Sequence, residues 1–353
     1  MKILYLYSGS RKDKFKGTIG IDYPDTQFYG LNYLADFGVD AEFKEFSDIV
    51  GNTFLQRMVP FRLKHVALIT ASVLSKKYNL LFGSSLLYGL FLKRIFHLKP
   101  KFVIFGISLG RTLAANRNNP IKLALLRWLL NGADGVVCLS HMQKTRLEEA
   151  LPLLRGRIFF VPLGVDVRYH KPVYQGRKRY FVSAGRDNGR DYGTVFETAR
   201  LLPEERFEIF CSRRNLVGLG PVPANVKTYI DLPPQAVYDK FAEAKALLLI
   251  THDDEYADGS DCSGQTVLVE AMASGLPIIA SRKAYITDYV TDGTGALLVG
   301  FYDPKDVVLK LEMLKDKALA ERLARHARAS AEERLSTDSM ARALADVFKT
   351  IAR

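Results

Sequence analysis

The chain has 353 residues, 48% hydrophobic and 25% charged, with a net charge of +12, enough for a large core and two ordinary domains. Three cysteines, Cys138, Cys211 and Cys262, offer neither an even disulfide framework nor a metal-ligand spacing and suit reduced thiols in the cytoplasm. No leader-like segment opens the chain, and the longest uncharged apolar run, 78–92, is too short for a membrane span and broken by Gly83 and Gly89, so a cytoplasmic protein is expected, soluble or peripheral on the inner face of the membrane.

Residues 2–8 read as a hydrophobic strand, and the polar run to Gly20 as a loop in which Gly17 and Gly20 would let backbone approach a ligand at the strand's carboxyl end. A helix over 26–37, with Phe28, Leu31, Leu34 and Ala35 on one face and Gly38 as its stop, leads to a strand over 39–46, a βαβ opening. No G-x-G-x-x-G occurs, which removes the main support for hydride chemistry. The segment 54–75 has apolar residues interleaved with Arg57, Arg62, Lys64 and His65, the pattern of a basic amphipathic helix that is either an ordinary surface helix or membrane-facing. Strand and helix then alternate: 79–82 with 84–96, 102–107 with 120–130, 135–140 with 142–150, and a strand at 158–161. Alternation of this kind predicts a parallel, doubly wound sheet.

Charge is distributed unevenly along this order. The first 170 residues hold 24 Lys and Arg against 12 Asp and Glu, and 49–133 holds 13 basic residues and no acidic one. That stretch points to an anionic partner: a membrane surface, a polyanionic acceptor or nucleic acid.

A turn-rich connection, 162–178, separates this half from a second alternating set. Its strands are expected at 179–183, 207–211, 226–229, 246–250, 278–280 and 296–299, and its helices at 194–202, 233–244, 265–274, 304–314, 318–334 and 337–352. The run from Asp258 to Ser281 organises this half. Gly259 to Gly264 form a small, polar loop; Val267, Leu268, Ala271 and Met272 give the next segment one buried helical face; Gly275 and Pro277 end it. Such a loop offers unpaired N–H groups at the positive end of a helix dipole, a natural anion site. Glu270 lies in the second turn among apolar neighbours. A pair of ribose hydroxyls would satisfy its carboxylate, although a solvated face or an internal ion pair would also account for it.

With both halves in place, the motifs resemble the retaining GT-B glycosyltransferases of family 4, over most of the chain and most strongly in the second half. Val161-Pro162-Leu163-Gly164-Val165-Asp166 is similar to the family's hinge. Gly185-Arg186 through Arg190 resembles its Gly-Arg…Lys/Arg signature, whose cations contact the donor diphosphate. Glu270-Ala271-Met272-Ala273 followed by Gly275 and Pro277 resembles the second half of its Glu-x7-Glu motif, whose second glutamate binds the nucleotide ribose. Cys262 stands where the first glutamate is usual, so the resemblance implies donor contact through Ser263 and the amides of Gly264, Gln265 and Thr266, with Asp261 as a substitute carboxylate. No histidine opposite the donor is recognisable in the first half; His141, after Ser140, reads as a helix-start residue.

The resemblance implies an α/β fold of two facing Rossmann-like domains: 1–168 for the acceptor, 169–335 for the donor, and a C-terminal helix, 336–353, crossing back to the first. It implies retaining, metal-independent transfer from a UDP- or GDP-linked sugar to a glycan or lipid-linked acceptor, with Arg186, Arg190 and Glu270 central, Gly17, Gly20, Gly185 and Tyr229 lining the donor, no resident cofactor and no nucleic-acid partner. Arg186 and Arg190, on a loop before a helix, would supply fixed positive charge for the leaving diphosphate. The Asp253-Asp254-Glu255 run is a candidate metal ligand set but reads as a solvated loop. A non-catalytic nucleotide-sugar or carbohydrate-binding protein and a nucleotide-sugar epimerase are the competing functions.

Overall fold

Short runs of aliphatic and aromatic residues, largely buried on both faces, form the inner strands, as a parallel sheet covered by helices requires. The structure, a computed structural model, describes every residue except 8–10, 46–47, 49–59, 75, 85 and 173–178, and every side chain of those except 61, 62 and 65. The first sheet contains β1 (Lys2–Leu6), β2 (Asp40–Phe43), β3 (Leu80–Gly83), β4 (Lys101–Phe105), β5 (Gly135–Cys138) and β6 (Ile158–Phe160). Its order is β2-β1-β3-β4-β5-β6, and every neighbouring pair is parallel. The second contains β7 (Tyr180–Ala184), β8 (Phe207–Cys211), β9 (Val226–Ile230), β10 (Ala244–Leu249), β11 (Ile278–Ser281) and β12 (Leu297–Val299). Its order is β12-β11-β10-β7-β8-β9, again all parallel.

The chain divides into two compact units, Met1–Pro162 with Thr337–Arg353, and Leu163–Ser336. Each has its own core. In the first, Leu4, Leu81, Phe102 and Val136 meet Ile69, Leu90 and Leu130 from the covering helices. In the second, Ile209, Leu248 and Ile279 meet Val195, Phe196 and Val307. Each sheet also has one place where successive crossovers leave in opposite directions, between β1 and β3 and between β7 and β10. In open α/β sheets, ligands bind outside the carboxyl ends of the strands at such a point.

Three readings of the first unit require correction. The expected loop carrying Gly17 and Gly20 is an α-helix, Lys12–Ile19, with Gly20 at its end. Phe15 anchors it against Phe28 and Phe43, with ring centroids 5.3 and 5.1 Å apart. Gly17 lies inside the helix, its carbonyl accepts from the N–H groups of Asp22 and Tyr23, and a Cβ there would stand 3.0 Å from that of Tyr23. The close approach made at Gly17, like that of Gly20 to Asp22, is therefore to the chain's own next turn. Second, 26–37 is not one helix but two 3-10 segments, Asp25–Phe28 and Leu31–Phe37, because Tyr29 and Gly30 take left-handed φ of 52° and 73°. Third, helix Leu109–Ala115 precedes Pro120–Leu130 where no helix was expected.

The expected helix over 54–75 is described as Phe61–Leu74. Leu68, Ile69 and Val73 are buried; Arg57 and the side chain of Arg62 lie outside the described residues, and Lys64 is half-buried. Among the described residues, no helix is long and apolar enough to cross a membrane.

Candidate functional site

At the β7/β10 switch point, the chain leaves β7 through Gly185, whose φ of 152° suits glycine, and loops back so that Arg190 bridges to Thr251 just beyond β10. The N–H of His252 donates to the Gly189 carbonyl at 2.9 Å and that of Asp191 to the Ile250 carbonyl at 3.1 Å. Asp191 then caps helix Tyr192–Leu201 by accepting from the Thr194 N–H. These bonds fix the far end of the loop, so the long cation there is held rather than swinging in solvent.

That cation is Arg190. Its residue is 3% exposed, yet none of its three guanidinium nitrogens makes a hydrogen bond. It lies between two glycines. A Cβ at Gly185 would collide with the guanidinium, and one at Gly264 would stand 2.6 Å from Nη1 and 2.5 Å from Leu249 Cδ1. Gly264, at φ 83°, is also the residue before helix Gln265–Ala273, whose N-terminus has no side-chain cap. A buried guanidinium and an uncapped helix N-terminus thus share one place, where desolvation makes an unpaired charge costly until an anion arrives.

The loop before this helix is braced from beneath. Ser263 is buried, its hydroxyl accepts from the Ser260 N–H at 3.1 Å, and its carbonyl accepts from the buried Tyr285 hydroxyl at 2.8 Å. Gln265 is buried and Thr266 exposed. Cys262 is partly exposed and is in no disulfide.

Glu270, one and a half turns into the same helix, is 4% exposed. Tyr238 donates to its Oε1 at 2.6 Å, and the edge of the Tyr238 ring meets His170, centroids 4.7 Å apart. Burial pushes the Glu270 carboxyl up to about 8, against the lowering effect of the Tyr238 hydrogen bond. Burial likewise drives His170 down to about 4, so a neutral imidazole backs the tyrosine.

Arg186 is the exposed counterpart, about half exposed and 4.0 Å from Asp231, itself exposed. Its carbonyl accepts from the Arg214 guanidinium at 2.7 and 3.3 Å, and Asn215 holds the Asp187 carbonyl at 2.9 Å. Tyr229 lies in the edge strand β9, stacked on Phe210 at 4.7 Å with 3° between ring planes. In the acidic run 253–255, Asp254 faces the buried Lys283 at 3.4 Å and accepts from the Ala284 N–H, while Asp253 accepts from the Glu255 N–H. His141 opens helix His141–Ala150 with Ser140 as its cap, its ring against Phe160 at 4.2 Å.

Tyr238, Tyr285, Lys283 and Arg214 were not singled out in the sequence. Tyr238 comes from helix Pro234–Phe241, Arg214 from the 3-10 turn Arg213–Leu216, and Lys283 and Tyr285 from the segment after β11. Only Lys283, which with Arg282 follows the buried strand β11 directly, carried a local signal.

Residues 190–346 match the family model described as glycosyl transferase-like, which spans both Arg190 and Glu270. Over these residues the chain carries a glycosyl transferase-like region. Over 142 residues it is 28% identical to the D-inositol 3-phosphate glycosyltransferase of Corynebacterium kroppenstedtii, a match covering 39% of this chain and 28% of that relative's length. Sucrose-phosphate synthase from Thermosynechococcus elongatus superposes with a TM-score of 0.70 at 15% identity, over 99% of this chain and 98% of the other. HepE from Anabaena, solved with UDP and glucose, does so with 0.65 at 14% identity, over 99% of both chains. The chain therefore has the GT-B fold.

Proposed function

We propose that the protein transfers a hexose from a nucleoside diphosphate, UDP- or GDP-linked, to a glycan or lipid-linked acceptor, with retention and without a resident cofactor or metal. What supports the reading above all is Arg190, a buried guanidinium with three unpaired nitrogens beside an uncapped helix N-terminus. A diphosphate satisfies both at once through charge-assisted hydrogen bonds. Arg186, half exposed and only loosely engaged with Asp231, turns inward as the second cation. Glu270 accepts from the ribose hydroxyls. As the glycosidic bond breaks, the diphosphate takes the electron pair, and Arg190 and the helix amides stabilise the developing charge. The acceptor hydroxyl passes its proton to a diphosphate oxygen, so the departing group serves as base. Asp254 is already engaged by Lys283 and the Ala284 amide, which favours arginine charge over a metal as the neutralising agent.

A panel of nucleotide sugars read by thermal stabilisation tests the donor assignment. At 100 times its dissociation constant, a true donor adds about 2.7 kcal/mol of stability, and Arg190→Ala abolishes the effect. A panel in which no nucleotide stabilises the wild-type protein ends the reading. Transfer is expected to survive EDTA; loss restored by magnesium or manganese would instead assign a metal to the site.

A further inference from the structure

Glu270 is held by a side chain that the transfer reading leaves without a role. Tyr238, on helix Pro234–Phe241, donates its hydroxyl to Glu270 Oε1 at 2.6 Å, and among the described residues no second hydrogen bond reaches this carboxyl. One oxygen is fixed and the other left open. The tyrosine is itself braced: its ring meets that of His170 at 87° with centroids 4.7 Å apart, and Tyr169 and Phe241 flank it at 6.1 and 6.3 Å.

His170 closes a tight turn. The buried Asp166 carboxylate accepts from the N–H groups of Arg168 and Tyr169 at 3.0 and 3.1 Å, and the Asp166 carbonyl accepts from that of His170 at 3.0 Å. Arg328 donates to the carbonyls of both His170 and Ala273, so the turn carrying His170 and the helix carrying Glu270 share one guanidinium. Tyr238 therefore packs between two elements already tied together, the kind of support that locks a binding side chain in one rotamer. The charged groups nearby are engaged elsewhere: Asp239 accepts from Gln235, Lys240 pairs with Glu208 at 3.4 Å, and Arg328 with Glu332. His170, driven down to about 4 by burial, is neutral, and among the described residues its Nε2 makes no hydrogen bond. It supplies a ring and no proton. A hydroxyl that donates to a carboxyl favours the ionised form, the form that accepts from hydroxyls. We infer that Tyr238 is a positioning residue for nucleotide binding: it holds Glu270 Oε1 so that the ionised carboxylate presents Oε2 to the ribose. This role rests on the donor reading above.

Tyr238→Phe keeps the ring and its packing and removes the hydroxyl. Calorimetric titration of the full chain with UDP and with GDP, from about pH 6 to 9, compares the variant with wild type. The expected ratio of dissociation constants, variant over wild type, is about tenfold at pH 7 and narrows toward unity by about pH 9, because the variant's carboxylate ionises later but still ionises. Recovery at high pH also shows that the variant is folded. In a Glu270→Gln background, the same substitution has an effect that does not change with pH. A ratio of one throughout, a constant ratio such as lost packing would give, or a variant that binds at no pH overturns the inference and leaves the donor assignment standing. A wild-type chain that binds neither nucleotide overturns both, and that failure is read before any substitution is made.

Discussion

A guanidinium that is 3% exposed and unbonded lowers the stability of the empty protein, because burial removes water that nothing replaces. Arg190→Met keeps the bulk without the charge. It is expected to raise the melting temperature of the ligand-free protein while abolishing stabilisation by UDP, a loss of roughly 1.5–3 kcal/mol for each charge-assisted bond to the diphosphate. A variant that melts lower than wild type and still responds to UDP would remove Arg190 from the site. Glu270 makes a second test through pH. Its carboxyl holds a proton up to about 8 when folded, against an ordinary 4.5. The folded state therefore binds more protons than the unfolded state between those values, and ligand-free stability falls as pH rises from about 4.5 to 8. Glu270→Gln flattens that dependence. Ribose hydroxyls favour the ionised form, so nucleotide binding at pH 7 is expected to release a proton, seen as a buffer-dependent binding enthalpy. An enthalpy identical in phosphate and Tris buffers would sink this role.

At the scale of elements, the junction of loop and helix at Gly264 carries the site's geometry. Gly264→Ala meets left-handed strain of roughly 1–2 kcal/mol and places a methyl against Arg190 and Leu249, so KM for the donor rises and stability drops; an unchanged KM would mean that the guanidinium is not seated there. Two helices of the first unit make a different prediction. Pro120–Leu130 exposes Ile121, Leu125 and Trp128, at 83, 54 and 41%, on one face at i, i+4 and i+7. Leu87–Phe96 exposes Phe91, Ile95 and Phe96, and Arg94 of that helix covers the Trp128 ring at 4.6 Å. Neither helix contains an acidic residue, while Lys99, Lys122 and Arg127 are exposed nearby. This face is proposed to dock on an anionic phospholipid surface, each cation contributing on the order of 1 kcal/mol. Ile121→Glu with Leu125→Glu is expected to abolish co-sedimentation with phosphatidylglycerol vesicles without changing UDP binding; vesicle binding unaffected by both changes would exclude the face. The run of cations was legible in the sequence, but which helix faces point outward was not. Likewise Glu270 declared itself as a carboxylate among apolar residues, whereas Tyr238, 32 positions away, became its partner only through folding. Helix Lys12–Ile19 escaped notice because eight residues with one large apolar anchor, Phe15, show no period.

At the scale of the whole molecule, the alternation of strands and helices was readable because buried parallel strands are contiguous apolar runs, such as Leu247-Leu248-Leu249. Strand order was not, since crossovers leave no local mark. The division of the chain gives a last test. Helix Thr337–Ala352 belongs to the first unit and buries Met340, Leu344 and Phe348, with Phe348 edge-on to Tyr5 at 6.4 Å and to Phe82 at 5.2 Å. Truncation after Ser336 should destabilise the first unit by several kcal/mol, as removal of several large core side chains does. UDP should still protect 163–336 from proteolysis. Loss of that protection would mean that the donor site depends on the missing helix. The same connectivity reverses the usual order of maturation on the ribosome, where amino-terminal domains finish first. Here Met1–Pro162 waits for Thr337–Arg353, which emerges after the whole of the second unit. While 163–336 has every residue it needs as soon as Ser336 emerges, β1 and β3 keep Tyr5 and Phe82 uncovered until Phe348 arrives. A nascent chain of this protein therefore presents an unfinished aromatic surface from the emergence of β3 until the emergence of Phe348.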